Sequence, residues 1–331
     1  MFCLHEASTC LKIPHYLPLQ SSQASGASLD TRVLRPGDLF IACPGQKVDG
    51  HDYLEEAFRR GAAGALIAKS YFDRFGQSLL SRPTVFKNIL VADDVVKTLI
   101  RLAGWHRSQF KIPVIGITGS VGKTTTKDFL NYLMGKKWPG IATVGNLNNH
   151  LGVHLTLLRL NSSSRYCVCE MGASAPHEIR HLSQFACPTA GIITGISSAH
   201  LDGFGSLEKI YESKLELVEK FSPNAPVVFP DSDGELRKRL GRQSSLRLIS
   251  VWVSQAAQYQ LRDAVLCKSW IEFTVVRVGG FAKRFYVPGQ ALFLAFNAAM
   301  AMAMAEHCGV PMEEVSERWD DIELSGSRFQ V

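Results

Sequence analysis

The sequence predicts an α/β protein of two domains. Its 331 residues suffice for about two ordinary domains, at roughly 100–200 residues each. From residue 111 onward, short β-rich runs alternate with segments of helical periodicity, which indicates a mainly parallel, doubly wound sheet. A glycine-rich phosphate-loop motif follows the first of these runs. We therefore expect a small N-terminal α/β domain over residues 1–110 and a larger, mainly parallel P-loop domain over residues 111–331.

The elements of the first domain follow from its apolar runs and turn signals. Three short apolar runs, separated by Gly, Pro and Asp, predict strands at residues 39–43, 65–68 and 89–92. Apolar residues at helical spacing then predict a helix over residues 95–110.

In the second domain, strands and helices are predicted in alternation. The predicted strands are residues 114–118, 166–170, 190–196 and 225–229. The predicted helices are residues 124–134, 177–185 and 206–221. Two later runs, 270–276 and 281–287, flank a Gly-Gly pair and predict a hairpin, and an Ala- and Met-rich helix follows at 297–306.

Composition excludes several functional classes. There are 36 Lys+Arg and 30 Asp+Glu, so the net charge is only +6, and no block of like charges stands out. Neither nucleic acid nor a membrane surface is therefore an expected partner. No apolar run reaches the ~18–20 residues of a membrane span, and Glu6 and His15 interrupt the N-terminus where a signal peptide needs an apolar core. We expect a soluble, cytoplasmic protein without membrane insertion.

The eight cysteines have neither CxxC spacing nor the spacing of zinc ligands. Cys167 and Cys169 lie two residues apart in an apolar run, so they share one face of the predicted strand. Free cysteine is commonly buried, and we expect both thiols in the core.

The sharpest motif is GSVGKT at residues 119–124, between a predicted strand and a predicted helix. Glycines allow backbone N–H groups to turn toward phosphates, and the helix N-terminus favours an anion. Lys123 would neutralise the β- and γ-phosphates, and the Thr124 hydroxyl would hold Mg²⁺. The loop is shorter than the usual GxxxxGK[ST], and by itself it names no reaction. The residues predicted to bind the nucleotide through it are Gly119, Ser120, Val121, Gly122, Lys123, Thr124 and Thr125.

Three further polar residues follow successive predicted elements: Glu170, His200 and Lys214. The carboxyl ends of parallel strands meet at the edge where ligands bind, so Glu170 and His200 are placed to reach metal ions near the nucleotide. Each residue also has an ordinary interpretation. Glu170 fits a helix-capping carboxylate, His200 a loop histidine and Lys214 a solvated helix lysine.

Several motifs, in order along nearly the whole chain, resemble the Mur ligases of peptidoglycan synthesis. In the second domain they are GITGSVGKTTT at 116–126, GNLNNHLGV at 145–153, EMGA at 170–173 and AHLDGFGS at 199–206. In the first domain they are DTR at 30–32, PGDLF at 36–40 and DGHDY at 49–53, which resemble the family's UDP-substrate domain.

The resemblance implies a role for each matching residue. Lys123 would bind the phosphates of ATP, and Thr124 and Glu170 would sit at one Mg²⁺. His200 would help to hold a second metal ion, and Lys214 would react with CO₂ to give a carbamate, which can ligate metal where an ammonium would repel it. The resemblance assigns the UDP-linked substrate to Thr31, Arg32, Asn148 and Asn149, and further nucleotide contacts to Asn297 and Arg328.

The reaction implied by the resemblance is ATP-dependent formation of an amide bond through an acyl phosphate. The EMGA segment indicates the branch that adds D-alanyl-D-alanine to UDP-N-acetylmuramoyl-tripeptide, and we expect a monomer. Alternatives are a sibling ligase that adds diaminopimelate or lysine, a ligase similar to folylpolyglutamate synthase, a nucleotide-dependent switch, and a degenerate module that binds nucleotide without catalysis. An Asn-Lys-x-Asp guanine motif, which a switch would need, does not occur.

The chain departs from the family pattern in two places. Phe229 occupies the position of an Asn near the adenine, and the His of a later segment is missing, so only Asn297 carries over there. The segment SGSRF at 325–329 resembles the junction before the family's C-terminal domain. We therefore expect a two-domain fragment that lacks the C-terminal ligase domain. Such a fragment is expected to be inactive, or only weakly active, in ligation.

Overall fold

The computed structural model describes residues 1–18, 22–45, 48–145, 147–198 and 201–325. They form two compact units. The first unit comprises Met1–Lys111 together with His154–Ser163, and the second comprises Ile112–Val153 and the chain from Ser164 onward. Within the described ranges, no helix combines the length and apolar character that a membrane span requires.

The first unit contains short strands and four helices among its described residues up to Lys111. The strands are β1 (Phe2–Cys3), β2 (His15–Tyr16), β3 (Gln23–Ala24), β4 (Gly26–Ser28), β5 (Asp38–Ile41), β6 (Gly64–Ala68) and β7 (Ile89–Ala92). The helices are α1 (Leu4–Leu11), α2 (Leu54–Arg59), α3 (Lys69–Leu80) and α4 (Val95–Ser108).

The sheet of the first unit has the order β2-β7-β6-β5-β4, with β4 to β7 parallel and β2 antiparallel at one edge. The three strands predicted from apolar runs are β5, β6 and β7, and they are fully buried. Asp94 begins α4 as its N-cap, because its carboxylate accepts a hydrogen bond from the Lys97 N–H. The sequence analysis is confirmed for these elements.

The second unit continues the numbering. Its strands are β8 (Val114–Thr118), β9 (Ile141–Ala142), β10 (Cys167–Glu170), β11 (Ala190–Ile193), β12 (Pro226–Pro230), β13 (Arg247–Trp252), β14 (Tyr259–Cys267), β15 (Trp270–Arg277) and β16 (Phe281–Pro288). The helices are α5 (Lys123–Gly135), α6 (Gly152–Leu157, which continues into the first unit), α7 (Glu178–Ala186), α8 (Leu201–Phe204), α9 (Leu207–Leu215), α10 (Gly234–Gly241) and α11 (Phe293–His307).

The nine strands form one sheet of order β16-β15-β14-β13-β12-β11-β8-β10-β9. All neighbours from β14 to β9 are parallel, and β14, β15 and β16 pair antiparallel. Helices α5 and α11 pack on one face, where Ile115 and Ile117 point. The mainly parallel α/β fold and the predicted hairpin are therefore confirmed.

Three predictions in this unit need correction. The helix expected over 297–306 begins four residues earlier, at Phe293. The strand expected over 190–196 ends at Ile193, because Gly195 has a φ of +139° that strand backbone does not adopt. The helix expected over 206–221 ends at Leu215, and a 3₁₀ turn over Glu216–Val218 follows. Strands β9, β13 and β14 were not predicted.

The 3₁₀ turn is seated by a close contact on the other face of the sheet. Gly116 of β8 and Gly191 of β11 stand side by side in register, and the Leu217 side chain lies over both. A Cβ atom at Gly116 would come 2.5 Å from Leu217 Cδ1, and one at Gly191 would come 3.1 Å from Leu217 Cδ2. Only glycines allow the turn to approach the sheet this closely.

The thiols of Cys167 and Cys169 are both fully buried on β10, as the sequence predicts, with their sulfur atoms 3.7 Å apart. They belong to the strand that ends at Glu170. Both side chains are packed in the interior of the second unit.

A buried histidine of α4 makes the first unit sensitive to acid. His106 lies between the rings of Phe2 and Phe110, and its Nε2 lies 2.9 Å from the carbonyl oxygen of Leu160, to which it donates. Burial lowers the pKa of His106 to about 4, and the hydrogen bond opposes this only in part. The folded protein therefore favours the neutral form of the His106 imidazole.

We predict an acid-dependent loss of stability that His106 causes. Above pH ~6.5 the ring is neutral in both the folded and the unfolded state. Below this pH the unfolded chain takes up the proton first, because the pKa of His106 is lower in the folded state. The free energy of unfolding should therefore fall by about 2 kcal/mol between pH 7 and pH 5. Chemical denaturation at both pH values measures this. His106→Gln keeps an N–H donor without titrating and should lose about 2 kcal/mol less than the wild type over the same interval; equal pH dependence would contradict the assignment.

Candidate active site

The phosphate loop lies between β8 and α5 and requires glycine at two positions. Gly119 and Gly122 have φ values of +144° and +83°. A Cβ at Gly122 would lie 2.6 Å from Asn297 Oδ1, and a Cβ at Gly119 would overlap the Thr194 hydroxyl. The Ser120 N–H donates to the carbonyl oxygen of Gly195 at 2.8 Å, which ties the loop to the end of β11. The loop is therefore held in a fixed shape at the carboxyl edge of the sheet.

Lys123, the first residue of α5, folds back over this loop. Its Nζ donates to the carbonyl oxygens of Gly119 (2.9 Å) and Ser120 (3.2 Å). Burial lowers the pKa of Lys123, and the nearby charge of Glu170 opposes this shift. The ammonium group thus stands at the mouth of the loop, where an anion would meet it.

Glu170 connects three segments of the chain. It is the last residue of β10, and its side chain is only 1% exposed. Its Oε1 accepts hydrogen bonds from Thr124 Oγ1 (3.0 Å) and from Asn148 Nδ2 (2.8 Å). Its Oε2 is buried without a hydrogen-bond partner. A buried carboxylate oxygen that lacks a donor is costly, and a bound cation would satisfy it.

This arrangement fits Mg²⁺, which prefers oxygen ligands. The orphaned Oε2 of Glu170 lies beside the Thr124 hydroxyl, whose lone pairs remain available because the hydroxyl acts as a donor to Oε1. The donor set is therefore one carboxylate and one hydroxyl next to the phosphate loop. Within the described ranges, no group of three or more His, Cys, Asp and Glu side chains forms a metal site.

Lys214 is buried at the end of α9 and is 2% exposed. Its Nζ lies 3.5 Å from the carbonyl oxygen of Ala173 and 5.2 Å from the centre of the Phe204 ring. Burial, and next the positive charge of Lys123, lower the pKa of Lys214 to about 8. Among the side chains that the structure describes, no carboxylate lies within 4 Å of this nitrogen. The solvated helix lysine of the ordinary interpretation is therefore ruled out.

A cavity of about 650 Å³ opens beside the phosphate loop. Three predicted site residues, Lys123, Asn148 and Asn149, line it together. The other lining residues were not predicted as site residues and are His150, Gly172, Ala173, Ser174, Pro176, His177, Glu178, His181 and Leu182. The two asparagines differ in what they do. Asn148 binds Glu170, whereas Asn149 Oδ1 accepts the N–H groups of Leu151 and Gly152 and so begins α6.

The wall of the cavity is fixed by Glu216, which sequence reasoning missed. Helix α7 begins after His177, which provides no side-chain cap of its own. Glu216 instead accepts the backbone N–H of His177 through Oε1 and that of Arg180 through Oε2, both at 2.9 Å. A buried carboxylate from a distant turn thus satisfies the first N–H groups of the helix and meets its positive end.

The remaining predicted residues have different placements. In the first unit, Thr31 is buried, and the exposed Arg32 guanidinium pairs with Asp30 at 2.6 Å. In the second unit, Asn297 adjoins Gly122, Thr125 is half-buried on α5, and Phe229 is buried in β12. His200 and Arg328 lie outside the described residues.

Comparison with known protein families decides the affiliation of the chain. The model of the Mur ligase middle domain matches residues 117–305, which is more than half of the chain, and the Mur ligase family catalytic domain matches residues 23–72. The chain belongs to the Mur ligase family. The matched ranges include the phosphate loop, Glu170, Lys214 and Asn297.

Relatives within the family are similar to most of this chain. A Bacillus subtilis protein named UDP-N-acetylmuramoyl-tripeptide–D-alanyl-D-alanine ligase is 30% identical over 92% of the chain. A crystal structure of MurF from Acinetobacter baumannii matches 94% of the chain with 26% identity and a TM-score of 0.77. A MurF ligase from Thermotoga maritima in complex with ADP matches 88% with 27% identity and a TM-score of 0.71. The chain spans 64%, 66% and 65% of these proteins, respectively.

We predict that Glu216 stabilises α7 specifically. Glu216→Ala leaves two partly buried backbone N–H groups without an acceptor and should lower the free energy of unfolding by about 2 kcal/mol. Hydrogen exchange at the first turn of α7 should accelerate in parallel. Glu219→Ala is the matched control, because Glu219 pairs with the same Arg180 only through its exposed guanidinium. Its effect should be much smaller. Equal losses in the two variants would show that Glu216 acts by surface charge alone.

Proposed function

We propose that this protein serves the ATP-dependent addition of D-alanyl-D-alanine to UDP-N-acetylmuramoyl-tripeptide in the synthesis of peptidoglycan precursors. The observation that supports the proposal most is the placement of Glu170, which joins the phosphate loop to the cavity wall through Thr124 and Asn148. Relatives of this chain bear the name of that ligase, and one relative was solved with ADP. The division into a substrate-binding domain over residues 1–110 and an ATP-binding domain over residues 111–331 belongs to this proposal.

The proposed reaction has two steps. The terminal carboxylate of the tripeptide attacks the γ-phosphorus of ATP, the bond to the β–γ bridging oxygen breaks, and ADP leaves. The amine of D-alanyl-D-alanine then attacks the acyl carbon, and the amide forms as phosphate and a proton depart. Lys123 and the N–H groups of residues 119–124 would hold the phosphates, and the cavity would receive the end of the peptide. These positively polarised groups offset the repulsion between two anionic substrates.

Mg²⁺ is the metal that the site fits, and Glu170 and Thr124 would hold it. When bound, Mg²⁺ neutralises phosphate charge and stabilises the charge that develops on the transferred phosphoryl group. Asn148 would keep the Glu170 carboxylate in the orientation that presents Oε2 to the cation. His200 would contribute to a second metal position, as the family resemblance implies.

Lys214 would act as the carbamylated lysine of the site. Its buried nitrogen contacts a carbonyl oxygen and an aromatic face, and the attraction of Glu178 and Glu216 offsets the cost of burying its charge only in part. Reaction with CO₂ replaces that cation by an anion close to the positive charge of Lys123. The second buried lysine of this unit, Lys127, differs because the Asp128 carboxylate lies 3.0 Å from its nitrogen.

We predict a ¹³C carbamate signal when the protein is equilibrated with ¹³C-bicarbonate near pH 8. Lys214→Arg should remove one signal, since arginine does not form the carbamate, and should leave that of the Met1 α-amino group, which also reacts with CO₂ at this pH. Lys127→Arg is the matched control and should retain both signals. A Lys214 variant whose spectrum equals that of the wild type would overturn the assignment.

The first unit would bind the UDP end of the substrate. Arg32 presents an exposed guanidinium that could exchange its contact with Asp30 for a diphosphate, and Thr31 adds a hydroxyl beside it. Arg328 and Asn297 would contact the nucleotide, and Asn149 would border the peptide. A cytoplasmic monomer is the setting in which we expect this activity.

The test of the proposed function is calorimetric binding of UDP-N-acetylmuramoyl-tripeptide, with the corresponding dipeptide and UDP alone as references. We expect the tripeptide to bind at least about ten-fold more tightly than the dipeptide, because its additional residue would supply further contacts. Arg32→Ala should weaken all three ligands, whereas Arg82→Ala, which removes a comparable exposed ion pair with Glu55, should not. Equal binding of tripeptide and dipeptide would favour a sibling ligase, and no binding would favour a module that binds only nucleotide.

A further inference from the structure

The chain that follows β11 holds the phosphate loop at three points. The Thr194 hydroxyl donates to the carbonyl oxygen of Val121 at 2.5 Å, and the Ser120 N–H donates to that of Gly195 at 2.8 Å. The Ser197 N–H donates to the Ser120 hydroxyl at 3.0 Å. We call residues 194–197 the β11 brace. It connects the loop to the neighbouring strand through directed hydrogen bonds.

Thr194 is the first residue of the β11 brace and is 8% exposed. Its backbone N–H donates to the carbonyl oxygen of Thr118 at 2.9 Å, which fixes its position beside the end of β8. The Thr194 hydroxyl lies 3.3 Å from the same oxygen and 2.5 Å from that of Val121. A hydroxyl carries only one hydrogen, and the Val121 oxygen is the nearer acceptor. The side chain therefore donates to the phosphate loop.

This hydrogen bond fixes an N–H group as well as a carbonyl group. The peptide unit between Val121 and Gly122 is planar and trans, so its C=O and N–H bonds point in opposite directions. Because Thr194 holds the carbonyl oxygen, the Gly122 N–H is directed away from the β11 brace. Gly122 directly precedes α5, and N–H groups at this position of a phosphate loop bind phosphate. A rotated peptide unit would instead present a carbonyl oxygen, which repels an anion.

Lys123 holds the two preceding carbonyl groups, but the nucleotide would compete for it. Its Nζ donates to the carbonyl oxygens of Gly119 and Ser120 at 2.9 and 3.2 Å. An ammonium group has three hydrogens, and those that turn toward a phosphate are lost to these carbonyl groups. The hydrogen bond of Thr194 uses no group that the phosphates require. It is therefore compatible with a bound nucleotide.

We infer that Thr194 is a positioning residue for phosphate binding, because its hydroxyl holds the Val121–Gly122 peptide unit in the orientation that directs the Gly122 N–H toward the anion. The inference rests on the proposed function, since it requires a nucleotide in the phosphate loop. It assigns part of the nucleotide affinity to a side chain outside residues 119–125, which acts through the backbone of the loop.

The experiment is calorimetric titration of the full chain with ADP and with inorganic pyrophosphate, each in the presence of Mg²⁺. Thr194→Val replaces the hydroxyl by a methyl group and should weaken both ligands about ten-fold, which corresponds to the loss of one hydrogen bond. Thr194→Ala removes the same hydroxyl without adding a methyl group and should have a similar effect. Thr194→Ser keeps the hydroxyl and should bind both ligands within about two-fold of the wild type.

Thr189→Val is the matched control. Thr189 precedes β11 at the opposite end of the strand, and its hydroxyl accepts the N–H of Val114, the first residue of β8, at 3.1 Å. This variant removes a threonine hydroxyl between the same two strands and should leave both affinities unchanged. The amide resonance of Gly122 gives a direct signature in ¹⁵N-glycine-labelled protein. ADP should shift it in the wild type and in Thr194→Ser, and shift it less in Thr194→Val.

The outcomes separate this inference from the proposed function. Wild-type affinities in both Thr194→Val and Thr194→Ala, or an equal loss in Thr189→Val, overturn the positioning role while nucleotide binding stands. A Thr194→Ser variant as weak as Thr194→Val also overturns it, because the hydroxyl is then not the group that matters. Lys123→Ala should abolish the binding of both ligands. If Lys123→Ala leaves binding unchanged, or if the wild type binds neither ligand, both the nucleotide site and the inference are wrong.

Discussion

The buried carboxylate of Glu170 is the constraint on which the candidate site depends. A charge that is 1% exposed must be compensated, and two donors from different segments converge on one of its oxygens. The first turn of α5, the segment before α6 and the end of β10 are therefore fixed relative to one another. The second oxygen is buried without a hydrogen-bond partner. A single desolvated group thus fixes the shape of the site and leaves one acceptor that a cation would satisfy.

One wall of the cavity depends on a short segment at the end of α9. The segment consists of residues 214–217. Within it, Lys214, Glu216 and Leu217 each make a different contact. Leu217 seats the segment on the glycine pair of β8 and β11, Glu216 holds the start of α7, and Lys214 meets the carbonyl oxygen of Ala173. The sheet consequently positions the cavity wall. The apolar contact of Leu217 holds the segment on the sheet, and the polar contacts of Glu216 and Lys214 connect the segment to the wall.

Much of this fold and part of the site could be predicted from the sequence. Strand–helix alternation and the loop at 119–124 are local patterns, so the parallel sheet and the positions of Lys123 and Thr124 followed directly. The contact of Glu216 with α7 spans 39 residues and depends on tertiary packing, which no local pattern reveals. The end of α9 was misjudged because apolar spacing continues through the 3₁₀ turn. Strand β14 was missed because much of it is exposed and a bulge between Arg262 and Val265 breaks its alternation.

The paired thiols of β10 have a consequence for measuring motion in this protein. Cys167 and Cys169 are inaccessible, whereas Cys10, Cys187 and Cys267 are exposed. Alkylating reagents would therefore modify the exposed thiols first and reach the pair only when β10 separates from its neighbours. The half-buried Cys3, Cys43 and Cys308 react at intermediate rates, so the slowest phase of labelling reports the opening of the strand that carries Glu170 without an introduced probe. Ligands that stabilise the site would slow the alkylation of Cys167 and Cys169.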